Sequence, residues 1–100
     1  MYYQQGDVII EKVDYEIKEG EKLDHLTLAE GEQTGHHHSI VSGIGQLIMF
    51  NNIMHLEVKS ETALLRHQEH NEILIPQGIY RIGIVREYDP FEEEIRRVQD

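Results

Sequence analysis

The stretch 46-QLIMFNNIMHLEVKS-60 decides how the chain is read. It holds two short apolar runs, "QLIMF" and "IMHLEVK", parted by Asn51-Asn52. Periodicity alone does not separate a helix from a strand in runs this short. The asparagines favour the strand, because Asn tolerates the left-handed backbone that a tight hairpin turn requires. A β-hairpin is therefore expected, with a helix as the competing reading.

Working outward, β-branched residues dominate "DVIIEKV" near the start, as packing on a pleated surface requires. "HLTLAEGE" alternates Leu26 and Leu28 against Thr27 and Ala29, and "HHHSIVSG" enters a third strand that "GIG" at 43 to 45 ends. The segment "DYEIKEGEKLD" reads as a loop or irregular edge. Beyond the hairpin, "TALLRHQE" forms a strand after a turn at Ser60-Glu61. "EILIPQGIYRIGIVREY" forms two strands around a turn at Pro76-Gln77-Gly78. Short strands parted by frequent turns predict an all-β fold, a small barrel or sandwich of about seven to nine short strands. The expected core comprises Val8, Ile10, Leu26, Leu28, Leu47, Met49, Leu56, Leu64, Ile73, Ile75, Tyr80, Ile82 and Ile84.

The end of the chain differs in kind. Asp89 suits an N-cap, Pro90 a first helical position, Glu92 to Glu94 a helix start and Arg96-Arg97 a helix end. Phe91, Ile95 and Val98 then share one face. The organisation expected is a β domain over 1–88 and a C-terminal amphipathic helix over 89–100, docked on that domain or on a partner. So short a helix is marginal alone, so its apolar stripe needs a receiver, and a protein partner or self-association is expected.

At 100 residues, 39% of them hydrophobic, the chain matches one globular domain. Its net charge of -10, with Lys and Arg scattered, argues against nucleic acid and anionic membrane surfaces as partners. The absence of cysteine removes disulfides, thiolate metal sites and Cys nucleophiles. No secretory signal or transmembrane run is legible, so a cytoplasmic location is the expectation.

In an extended "HHHSIV", His36 and His38 take one face while His37 and Ser39 take the other. An H-x-H pair on a strand can chelate a metal, and His67, Glu69 and His70 are the donors available to complete the site. Imidazole suits zinc, iron, nickel or copper, so a divalent transition metal is the cofactor this reading implies. The plainer reading is an acidic surface displaying polar, partly titrating histidines. Ser39 and Ser42 lie in no nucleophile elbow, and Gly43-x-Gly45 opens no strand-to-helix unit, so a serine hydrolase and a dinucleotide site are not expected.

His36-x-His38 after Gly31, followed late by Pro76-x-Gly78, resembles the two signature segments of cupins, small β-barrels whose histidines and glutamate bind a catalytic metal. Of that set the H-x-H pair carries over, as His36 and His38. Ile40 to Gly43 stand where cupins carry the glutamate, and Arg81 stands where they carry the late histidine. Over most of its length, through "GDVII", "LAEGEQTGHHH", "EHNEILIPQGIYR" and "REYDPFEEEIRRV", the chain also resembles a family of small uncharacterised bacterial and phage proteins. Two functions stay open. One is a small acidic binding or assembly module with a histidine metal site; the other is a metal-dependent, cupin-like enzyme acting on a small molecule.

Overall fold

In the computed structural model, which describes residues 1–30 and 35–85, Asn51 and Asn52 have φ angles of 54° and 63°. Phe50 faces Ile53 directly across them, so the central stretch is the hairpin its asparagines demand. Eight strands follow the chain: β1 (Tyr2–Gln5), β2 (Val8–Lys12), β3 (Glu21–Lys22), β4 (Thr27–Glu30), β5 (His37–Ser42), β6 (Gly45–Phe50), β7 (Ile53–Arg66) and β8 (Ile73–Ile84). All pair antiparallel in one sheet, in the order β1-β2-β8-β7-β5-β4, with β6 also on β7 and β3 on β6.

The all-β class stands, but the closed barrel or two-sheet sandwich does not. Among the described residues no ladder joins β1 to β4, so the sheet is single and open. What replaces closure is a bend that crosses three strands at one level. The β7–β8 register shifts between Val58 and Thr62, and the β5–β7 register shifts between Ile40 and Ser42. On β7 the buried positions pass from Leu56 and Val58 to Ala63 and Leu65; on β8 they pass from Ile75 to Tyr80 and Ile82. Each strand thus changes the parity of its inward side, which keeps both halves facing one core.

Gly43 sits on this line with φ +87, and a Cβ there would lie 2.4 Å from the Thr62 carbonyl oxygen. Ser60 ties the bulge together: its hydroxyl accepts from Ile44 N at 2.8 Å and donates to Thr62 O at 2.6 Å. Tyr80, buried below the bend, donates its hydroxyl to Pro76 O at 2.7 Å. Burial first, then Tyr3, pushes that phenol's pKa up.

The bend explains the strand readings that need correction. Ser60-Glu61 and Pro76-Gln77-Gly78 are not turns between strands but irregularities within the continuous β7 and β8. Strands not anticipated from sequence form at Tyr2–Gln5 and, inside the segment read as loop or irregular edge, at Glu21–Lys22. In the core, Val8, Ile10, Leu28, Leu47, Leu56, Ile75, Tyr80 and Ile82 are buried as expected. Leu26 and Ile73 are partly buried against it, Met49 and Leu64 are half-buried, and Ile84 is exposed. Ile40, Val58, Ala63 and Leu65 join the core in addition.

The expected helix over 89–100, with Phe91, Ile95 and Val98, lies outside the described residues. No helix among the described residues is long and apolar enough to cross a membrane.

Candidate functional site

Three connections come together: the β1–β2 turn at Gly6-Asp7, which lies beside the last residues of β8 through Val85 N and Asp7 O at 2.7 Å, the entry to β5 and the link from β7 to β8. Pairing brings them together, because Ser39 on β5 faces Arg66 at the end of β7, and His37 N then donates to Gln68 Oε1 at 2.9 Å. Strand alternation does the rest. His37 turns away, its Nδ1 2.6 Å from Ser39 Oγ, which in turn lies 3.0 Å from Thr27 Oγ1.

His36 and His38 turn the other way, towards His67 and His70. The His38 ring stacks on that of His67 at 4.2 Å between centroids; His70 lies 4.8 Å from His67, and His36 5.8 Å from it. Glu69 brings its carboxylate to 3.8 Å from His36 Nδ1, and its backbone N–H donates to His67 Nδ1 at 3.1 Å. All five sequence-derived donors, His36, His38, His67, Glu69 and His70, therefore gather in one place.

Sequence reasoning missed two members of this neighbourhood, Gln5 and Asp7. The buried Gln5 amide donates to Leu65 O at 3.1 Å and to Asn71 O at 2.9 Å, while its Oε1 lies 2.9 Å from His38 Nδ1. Asp7 places Oδ1 3.7 Å from His38 Nε2. The local signal was a Gly-Asp turn before an apolar run, which marks a strand start and says nothing of a histidine thirty residues away.

Burial and crowding set the charge state. His38 is held down to about 4, chiefly by desolvation and then by His67, with His70 and His37 adding to the fall and Asp7 opposing it. His67 is lowered by burial first, then by His70 and His36, against Glu69 and Asp7. His36 Nδ1 is buried without a hydrogen-bond partner. Neutral imidazoles are the form that ligates metals. Among the described residues, however, no group of three or more His, Asp or Glu side chains stands already arranged to hold a metal ion.

The remaining histidines lie elsewhere. His25 Nδ1 accepts from Thr27 N at 3.2 Å. His55 is buried beside Tyr15 and Phe50, at a shallow hollow of about 310 Å³ that Glu16, Asn51 and Ile53 also line. Arg81, at the place of the late cupin histidine, pairs with Glu11 on β2 and does not join His36 and His38, so the cupin resemblance draws no support from this geometry.

Residues 4–85 match the model of a family described as Domain of unknown function (DUF8820), and over that span the chain belongs to this family. Comparison with curated proteins and with solved structures finds no match.

Proposed function

We propose that this member of the family is a small binding module whose ligand is a divalent transition metal, taken up at the histidine-lined end of the sheet. The observation that carries the reading is the packing of His38 on His67 at 4.2 Å, with His36 and His70 beside them, in surroundings that keep the two central rings neutral. Four imidazoles drawn from distant parts of the sequence are costly to crowd together when protonated, and as neutral donors they suit zinc, nickel, copper or ferrous iron. The donors are not preset for coordination, so metal uptake orders the exposed side chain of His70.

Elemental analysis of untagged protein purified without chelator, repeated after incubation with zinc alone, tests the proposal. A transition metal retained through gel filtration and lost in the double variant His36→Ala, His38→Ala supports it. Protein that retains no metal in either preparation overturns it.

A further inference from the structure

Hydrogen bonding at His38 specifies more than a cluster of rings. Both Gln5 amide hydrogens are committed, because they point at the carbonyl oxygens of Leu65 and Asn71, which only accept. Gln5 Oε1 must then be an acceptor too, and the 2.9 Å contact with His38 Nδ1 requires that nitrogen to carry the proton. The neutral ring consequently presents a bare lone pair at Nε2. Facing it is Asp7 Oδ1, itself only an acceptor. Their separation of 3.7 Å is too long for an N–H···O bond, yet two metal–ligand bonds of about 2.0 to 2.2 Å readily span it.

A third donor stands beside this pair. Gly6, at φ +59, turns the backbone so closely beneath His70 that a Cβ there would come within 2.6 Å of His70 Nε2 and 3.3 Å of His38 Cε1. His70 Nε2 therefore edges the same turn that carries Asp7. His67 differs: Glu69 N donates to its Nδ1, which places the proton of the neutral ring on Nε2 and leaves that nitrogen a donor.

We infer that Asp7 Oδ1, His38 Nε2 and His70 Nε2 are the protein ligands of a divalent transition-metal site, with Asp7, on the β1–β2 turn, supplying the anionic ligand. This rests on the metal-binding reading above but narrows it to a different donor set, in which His67 packs against His38 and Glu69 stays outside. The three donors come from the β1–β2 turn, β5 and the β7–β8 link, so the ion ties together segments that the sheet ladders do not join directly. Asp7 is partly exposed, which leaves a path for the ion. No triad is preset among the described residues, so closing the site calls for the exposed His70 side chain to reorient towards Asp7 and His38.

Zinc(II) titration by calorimetry and the visible absorption of added cobalt(II) distinguish the two levels of the proposal. Asp7→Asn keeps the size and turn preference of the side chain, and far-ultraviolet circular dichroism verifies its fold. It is expected to weaken zinc by about tenfold or more and to change the cobalt spectrum, whereas Glu69→Gln and His67→Gln leave the spectrum as it is. If wild-type protein binds zinc and Asp7→Asn binds it as tightly with the same cobalt spectrum, this ligand assignment is overturned while the broader reading stands. If His67→Gln abolishes the cobalt signal and His70→Gln preserves it, the assignment is overturned as well. Wild-type protein that binds neither ion overturns both.

Discussion

His38 and His55 are each only 1% exposed, and both sit on strands of the same sheet, yet their surroundings differ in what they leave unfinished. His55 is complete: Nδ1 donates to Ile53 O at 2.9 Å, so Nε2 accepts the Tyr15 hydroxyl at 2.7 Å. Tyr15 and Phe50 pack edge-on around its ring, and among the described residues no second histidine stacks on it. His38 has one nitrogen engaged by Gln5, the other facing a carboxylate beyond hydrogen-bond reach, and two further imidazoles within about 6 Å. A buried histidine with both nitrogens bonded is a packing solution. One held neutral with an open lone pair is a group kept ready for something else.

The sharpest way to break this contrast is acid. With chelator present, the folded protein keeps His38 neutral down to about pH 4, whereas the unfolded chain protonates it near the ordinary value of 6.5. The unfolded state therefore binds more protons between those limits. The stability this group contributes is whole above about pH 6.5 and is lost as pH falls towards 4, by about 3 kcal/mol in all. The lowered His67 acts in the same sense. Urea denaturation at intervals from pH 7 to 4 measures the slope. His38→Gln should flatten it markedly and His55→Gln should not; equal slopes in the two variants would erase the distinction drawn between the sites.

The two regions also differ in how far the sequence betrayed them. The H-x-H alternation that separates His36 and His38 from His37 follows from strand geometry, and the structure keeps it. The Asn51-Asn52 hairpin beside His55 was equally legible, because left-handed turn chemistry is local. What was hidden is non-local. Leu64 looked inward by simple alternation, but the extra residues of the β7 bulge reverse parity and bury Ala63 and Leu65 instead. Pro76 and Gly78 carry the composition of a turn, yet the strand runs through them because β7 makes its compensating irregularity at the same level. Gln5 and Asp7 reach His38 although β2, β8 and β7 stand between β1 and β5 in the ladder, so the sheet curls to bring its first strand onto the entry to β5. No window of the sequence contains that adjacency.

A smaller effect probes the turn that holds Asp7. Gly6 has φ +59 with His70 Nε2 within 2.6 Å of where a Cβ would stand, while the left-handed positions beside His55 are occupied by asparagines. Gly6→Ala should therefore cost about 1 to 2 kcal/mol for the left-handed backbone alone. It should also displace His70 and weaken zinc binding. Thermal denaturation with and without zinc separates the two consequences. A variant that loses stability but gains as much from zinc as the wild type would show that His70 is not coupled to the turn.

The smallest effect is expected at the finished site. Tyr15 is partly exposed, so replacing it by Phe leaves the edge-on packing on His55 and the tilted contact with Phe50 intact and removes only the hydroxyl that His55 Nε2 accepts. The ring nitrogen then keeps its place at the rim of the hollow with an unpaired acceptor, a loss of about 1 kcal/mol. Since the Ile53 carbonyl still fixes the proton on Nδ1, the ring has no reason to change tautomer or to swing out. Tyr15→Phe should accordingly lower the urea midpoint slightly and leave zinc affinity unchanged, because the hydroxyl it removes bonds His55 and not the side chains of Asp7, His38 or His70. A Tyr15→Phe protein with altered zinc affinity would mean that the two histidine regions communicate through β7, the one strand that carries His55 and leads directly into His67.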